Sequence, residues 1–261
     1  MTSSKFFHVS WTIKEVRFLI ALLVCALLAF ALPPFTQSQS YHHFADERSF
    51  FGIARALDVL SNVGFLCAGA WGLAALALRK HGLGSVMAWS LGVFFLGVLL
   101  TAWGSAYYHL APQDARLVWD RLPMTLAFSG TCGALGCARV SAKAGLMTLG
   151  VALCYGIASI LVWQSTGNLT PYAVMQFGGL IWCAVAGVGG KRGVFNLPWG
   201  ALLGFYVAAK AFEALDTVVY TASAHLVSGH TVKHVLSALA AASFACAIWN
   251  LRASIAVETQ G

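Results

Sequence analysis

The sequence predicts an all-α integral membrane protein with a seven-helix transmembrane bundle and one additional N-terminal helix, eight spans in all. Of the 261 residues, 59% are hydrophobic and only 10% are charged, whereas a soluble domain has about 25% charged residues. Apolar runs of about 20 residues, the length that a helix needs to cross a bilayer, recur along almost the whole chain. The runs are continuously apolar rather than alternating, which favours helices over a β-barrel.

The predicted spans follow one another with short polar connections. They cover residues 18–35, 56–78, 86–110, 122–138, 145–163, 172–189, 199–220 and 230–251. The first run follows a basic segment, as in a signal peptide, but it is long and has no small-x-small cleavage pattern, so we interpret it as a retained helix. We therefore expect an N-terminal segment with the extra helix at 1–40, a membrane domain at 41–251 and a cytoplasmic tail at 252–261.

The net charge of +7 orients the chain rather than indicating a nucleic-acid partner, because the basic residues lie in small groups between spans. With the N-terminus inside, the cytoplasmic side holds Lys5, Lys14, Arg17, Arg79, Lys80, Arg139, Lys143, Lys191, Arg192 and Arg252. The outer side holds only Arg48, Arg55, Arg116 and Arg121. This distribution predicts a multi-pass protein of the cell membrane with both termini in the cytoplasm.

The cysteines indicate neither a disulfide framework nor a thiolate metal site. All seven lie within the apolar runs, and none forms a Cys-x-x-Cys pair. We interpret them as small core residues.

Ionisable side chains collect at the outer ends of several predicted spans. They are Asp46, Glu47, Asp58, Asp114, Asp120, Glu213, Asp216, His42, His43, His109, His225, His230 and His234. Because such groups are costly at membrane depth, they mark functional sites by default. We expect the functional site at the outer, periplasmic side.

The histidine spacing is compatible with a metal site. His230 and His234 are four residues apart and share one helix face, and His109 can supply a third imidazole. Three protein nitrogens with an open fourth position are typical of catalytic zinc, where the pKa of a bound water falls to about 7. Asp120 could accept the proton of that water, and Ser105, one turn before His109, could hydrogen-bond an oxyanion.

Each of these residues also has a structural interpretation. A histidine at a helix end is often only interfacial or hydrogen-bonded, and Asp120, just before Pro123, could cap a helix start. A buried ion-pair ladder is an alternative role for Lys210, Glu213 and Asp216, which are spaced in steps of three. An aromatic belt at the membrane interface would account for Trp103, Tyr107, Tyr108 and Trp119.

Four stretches resemble the alkaline ceramidase family, especially its bacterial members: "SAYYH", "DARLVWDRLP" with Asp120, "SGHTVKH" and "ALDVLSN". That family belongs to the CREST superfamily of transmembrane hydrolases, which includes the progestin and adiponectin receptor proteins. The similarity extends from about residue 41 to residue 250. It implies a seven-helix bundle whose first core helix enters from the outer side, with the helix at 18–35 as an addition.

The resemblance implies zinc bound by His109, His230 and His234, with Asp120 at the attacking water and Ser105 at the tetrahedral intermediate. Residues that could orient the histidines or contact substrate are Lys210, Glu213, Asp216, Asp58, Asn62 and Lys233. Eukaryotic members also bind calcium through an acidic N-terminal loop. Here Arg55 stands near the comparable glutamate position, and the three carboxylates of the region fall short of the six to eight oxygen ligands of calcium, so no calcium site is predicted.

The function implied is that of a zinc-dependent amidohydrolase acting on linear amides. It would cleave the N-acyl bond of a ceramide-like lipid to a sphingoid base and a fatty acid. The alternatives are a receptor-like or transport protein with a structural metal site, and a hydrolase of other N-acyl or ester lipids. The oligomeric state and the acyl-chain preference stay open at this point.

Overall fold

The structure, a computed structural model, describes residues 11–79, 83–188 and 197–251, and within those ranges it is helical with no β-strand. The helices are α1 (Ile13–Ala31), α2 (Ala56–Leu60), α3 (Val63–Arg79), α4 (Ser85–Leu110), α5 (Asp114–Arg139), α6 (Ala142–Thr166), α7 (Thr170–Val188), α8 (Trp199–Ala214), α9 (Asp216–Ala222) and α10 (Gly229–Trp249). Helix α7 alternates between α-helical and π-helical turns. The predicted all-α fold is confirmed for these residues.

Several helices are suited to a membrane. Within the described ranges, five stretches are long and apolar enough to cross a bilayer: Ala56–Arg79, Ser85–Leu110, Ala142–Thr166, Thr170–Val188 and Gly229–Trp249. Their outward faces expose large apolar side chains such as those of Trp89, Leu161 and Val185. An exposed apolar surface of this extent is unfavourable in water and favourable in contact with lipid chains. The chain is therefore an all-α membrane protein.

The helices form a closed ring. In cyclic order α3, α4, α5, α6, α7, α8 and α10 each pack against the next, and α10 returns to α3. Helix α1 lies outside the ring against α6 and α7. Close helix crossings depend on small residues; for example, a Cβ at Gly130 of α5 would overlap the backbone of Phe94 in α4. The ring arrangement brings together the C-terminal end of α4 and the N-terminal ends of α5 and α10.

Several predicted helix boundaries differ from the structure. The predicted span 56–78 consists of two helices, α2 and α3, separated at residues 61 and 62. The predicted span 199–220 is interrupted, because α8 ends at Ala214 and α9 begins at Asp216. The predicted span 122–138 belongs to a longer helix that begins at Asp114. The first helix stops at Ala31, since the prolines at 33 and 34 cannot continue it. The predicted tail 252–261 lies outside the described residues, as do Lys5, His8, Lys80, His81, Lys191, Arg192, Arg252 and Glu258.

Candidate metal centre

The three predicted histidine ligands meet at one end of the ring. His109, in the last turn of α4, lies against His230 and His234, in the first two turns of α10. All three are buried, and each offers a ring nitrogen within 4.8 Å of those of the other two. Nε2 of His109 is 3.2 Å from Nε2 of His230, close to the separation of about 3.3 Å between two tetrahedral Zn²⁺ ligands. The cluster can hold a metal ion.

Local sequence explains how α10 presents its histidines. The Ser228 hydroxyl caps the helix by accepting from the backbone N–H of Thr231 at 3.0 Å. A Cβ at Gly229 would overlap the carbonyl oxygen of Phe212, so glycine allows the first turn of α10 to pack directly on α8. The i, i+4 spacing then turns both His230 and His234 towards the interior of the ring.

An unpartnered nitrogen in the cluster fits a metal. Ser61 donates its hydroxyl proton to the Asp58 carbonyl (3.1 Å) and lies 2.7 Å from Nδ1 of His234. The serine oxygen therefore accepts from Nδ1–H, and the lone pair of that imidazole is on Nε2. Among the described residues, Nε2 of His234 is buried without a hydrogen-bond partner. A metal ion would satisfy this atom.

Asp58 and Asn62, predicted to orient the histidines or contact substrate, tie α2 to α10. Asp58 Oδ1 accepts from Thr231 Oγ1 (2.7 Å) and Ser228 Oγ (3.2 Å). Asn62 Nδ2 donates to the Asp58 carbonyl at 2.8 Å and so stabilises the turn that bears Ser61. These hydrogen bonds stabilise the segments that surround the histidines.

Glu213 is shared by two lysines. Lys233 Nζ is 3.1 Å from Glu213 Oε1, and Lys210 forms an ion pair with the other oxygen, Oε2. Lys233 Nζ also lies 3.1 Å from Nε2 of His230. The ammonium group of Lys233 therefore reaches the histidine cluster itself.

Asp216 forms no ion pair with Lys210 or Lys233, so the predicted ion-pair ladder is limited to Lys210 and Glu213. The helix ends at Ala214, which turns Asp216 away from Glu213 into the next helix. Asp216 instead accepts from the backbone N–H of His230 (2.8 Å) and from that of Ala45 (2.9 Å). Asp216 thereby fixes the backbone of His230 and the loop between α1 and α2, to which Ala45 belongs.

The predicted catalytic pair, Ser105 and Asp120, is buried and close together. Both side chains line the same cavity. The prediction that Asp120 begins a helix is wrong, because α5 begins at Asp114 with Gln113 at its N-cap. Asp114, Arg116 and Asp120 interrupt the apolar pattern in the first two turns of this helix.

A matched pair of residues brings α4 and α5 together at this point. Pro123 lies inside α5 and has no N–H to bond the carbonyl of Trp119, four residues before it. That carbonyl oxygen faces Gly104 of α4, where a Cβ would overlap it. The close approach places Ser105, the next residue, beside Asp120.

The loop between α1 and α2 covers the histidine cluster. The Phe44 ring packs edge-on against His109 and His230, with centroid separations of 4.7 and 4.6 Å. Tyr41 contacts Glu213 through a long hydrogen bond of 3.5 Å. The other predicted outer histidines do not join the cluster: His42 bonds Tyr108 and Asp114, and His225 packs on Tyr220.

The acidic residues of this loop are engaged by arginines. Arg48 binds Asp46 through two hydrogen bonds, of 2.8 Å to Oδ1 and 2.7 Å to Oδ2. Although burial alone would raise the pKa of the Asp46 carboxyl, these bonds hold it below its usual range. Glu47 pairs with Arg55 at 3.7 Å. These two carboxylates thus bind guanidinium groups.

An apolar cavity extends inward from the site. It lies between α3, α4, α5, α7, α8 and α10 and is open in part. Its walls include Phe65, Phe94, Val98, Leu180, Leu202 and Ala241. Ser105, Asp120, Lys233 and His234 are polar lining residues. The cavity can therefore take an alkyl chain beside the candidate metal site.

Sequence reasoning missed four residues of this region. Ser61 and Phe44 contact the histidines from segments far away in the chain, although Ser61 stands within the quoted "ALDVLSN". Gln176 and Tyr206 form a polar pair at 2.6 Å in the cavity wall. The presence of Gln176 as a single polar residue in an apolar run was the one sequence feature that could have indicated this pair.

Comparison with protein-family models and with curated proteins finds no match to this chain.

Proposed function

We propose that this chain is a membrane-embedded, zinc-dependent amidohydrolase that cleaves the N-acyl bond of ceramide-like lipids, giving a sphingoid base and a fatty acid. The observation that supports it best is that His234, Ser105 and Asp120 line one apolar cavity, and that His234 belongs to a buried cluster with two further histidines. Metal ligands, a carboxylate and a hydroxyl beside an apolar cavity are the parts that hydrolysis of a lipid amide requires.

The three histidines would hold zinc through their ring nitrogens and leave a fourth position open. Bound Zn²⁺ supplies a water with a pKa near 7 and polarises a carbonyl oxygen. Asp120 accepts the proton that the water releases and returns it to the amine nitrogen as the C–N bond breaks. Ser105 donates a hydrogen bond to the acyl oxygen as negative charge develops there.

Substrate access fits a hydrolase that works within the bilayer. Phe44 and its loop cover the histidines and limit bulk water on that side. The apolar cavity accommodates an alkyl chain, which lipid-facing helices can admit. The distribution of Lys and Arg supports eight spans, both termini in the cytoplasm and the metal site towards the outer side; α1 is the additional helix.

The test is release of fatty acid from N-dodecanoylsphingosine by the purified protein, before and after treatment with a chelator. We expect release that the chelator abolishes and added zinc restores. Asp120→Asn should lose the activity, whereas Asp114→Asn, on the same helix but bonded to His42, should keep it. Release that is indifferent to the chelator, or equal in the Asp120→Asn variant, would refute the proposal.

A further inference from the structure

The ammonium group of Lys233 is a cation in an apolar cavity wall. Its side chain is only 16% exposed, and nearby lining residues include Phe128, Leu202 and Ala240. Nζ reaches one carboxylate oxygen, on Glu213, and one imidazole nitrogen, on His230. A buried charge is stable only when it is paired and hydrogen-bonded.

The charges around Lys233 do not balance. Glu213 is one carboxylate shared by the two ammonium groups of Lys210 and Lys233. Asp120, the acidic residue that lines the cavity, is followed by the buried Arg121, whose guanidinium bonds Gln37 and packs on aromatic rings. These three basic and two acidic side chains leave one positive charge in excess.

The other nearby carboxylates, Asp58 and Asp216, do not neutralise this excess positive charge once a metal ion is bound. Asp58 and Asp216 already accept from hydroxyl and backbone donors of α10 and its neighbours. Their two negative charges equal the two positive charges of a divalent cation on neutral imidazoles. The ammonium group would then lie near a metal cation, and an anionic oxygen close to both would relieve the repulsion.

We propose that Lys233 is an anion-binding residue and that its ligand is a carboxylate or an equivalent anionic oxygen of an acyl lipid. The alkyl chain of that lipid lies in the apolar cavity, and the ammonium group binds the oxygen as a point charge. The anion-binding role of Lys233 does not itself depend on the proposed function. Only the source of the bound oxygen does: it belongs either to the reacting acyl group or to an acidic head group.

The test is binding of dodecanoate and of 1-dodecanol to the purified full-length chain, measured by calorimetry in detergent. The two probes share one alkyl chain and differ in charge. We expect the wild type to bind dodecanoate about tenfold more tightly or better, as a charge-assisted hydrogen bond predicts. Lys233→Met should bring the two affinities close together at equal zinc content. Lys14→Gln, which removes an ammonium bonded to the Arg139 carbonyl at the opposite end of α5, should keep the preference.

Equal affinities in the wild type, or a preference that survives Lys233→Met, would overturn the proposal. The comparison of the two probes in the wild type tests the proposal even if Lys233→Met fails to fold. Lys233→Arg retains the charge and should keep the preference for dodecanoate. Binding through Lys233 without any amide hydrolysis would uphold the anion site and refute the hydrolase.

Hydrolysis of two amides identifies the source of the oxygen. If Lys233→Met slows N-dodecanoylglycine and N-dodecanoylethanolamine equally, the oxygen belongs to the reacting acyl group. If it slows only the glycine amide, the oxygen belongs to the head group. Both results support the site, and unchanged rates for both amides would contradict it.

Discussion

The hydroxyl of Ser61 lies 2.7 Å from Nδ1 of His234, across 173 residues of chain. Because this bond leaves the imidazole lone pair on Nε2, we expect Ser61→Ala to weaken zinc binding about 10- to 100-fold. Equilibrium dialysis against buffered zinc measures the change. Ser61→Thr retains the hydroxyl and should stay close to the wild type. An alanine variant with unchanged affinity would show that the serine does not orient the ring.

Ser105 separates a catalytic from a structural metal site. Ser105→Ala should retain zinc and lower amide hydrolysis about 10²- to 10³-fold, the usual cost of removing one oxyanion donor. Zinc content and fatty-acid release are measured on the same sample. A variant that hydrolyses the amide at the wild-type rate would show that Ser105 does not stabilise the oxyanion, whereas a wild type that holds zinc and releases no fatty acid would favour a receptor-like or transport role.

The crossing of α4 and α5 depends on Gly104. A Cβ there would overlap the Trp119 carbonyl oxygen, so Gly104→Ala must separate the helices and should destabilise the protein by about 1–3 kcal/mol. Gly92→Ala is the matched control, since it lies in the same helix with open space around its Cβ position. Thermal unfolding in detergent compares the two, and equal midpoints would contradict the predicted overlap.

Asp46 should make the loop between α1 and α2 sensitive to acid. Its pKa is lowered in the folded protein because the hydrogen bonds from Arg48 outweigh burial. Its contribution to stability is therefore complete above the unfolded-state pKa of about 3.9 and is lost as the pH falls through the folded-state value. Between about pH 5 and about pH 3, the unfolding midpoint of the wild type should fall more than that of Asp46→Asn. Parallel curves would contradict this assignment.

Much of the site could be predicted because it depends on helix periodicity. The spacing of His230 and His234 places both on one face of α10, and His109 follows from a shared position at the ends of apolar runs. The residues behind them could not be predicted in the same way. Ser61 and Phe44 contact the cluster only after distant segments pack together, which no local pattern records.

The helix boundaries that differ have local physical causes. The polar residues from Asp114 to Asp120 lower the apolar average of α5, so hydropathy alone starts that helix too late. The break between α8 and α9 at Leu215 has no proline or glycine to mark it. The π-helical turns of α7 likewise have no sequence pattern that marks them.

Zinc content of the purified chain tests the central claim most directly. The account predicts about one zinc ion per chain, lost in a His230→Ala/His234→Ala double variant that still folds. A chain that contains no metal and still hydrolyses the lipid amide would contradict it.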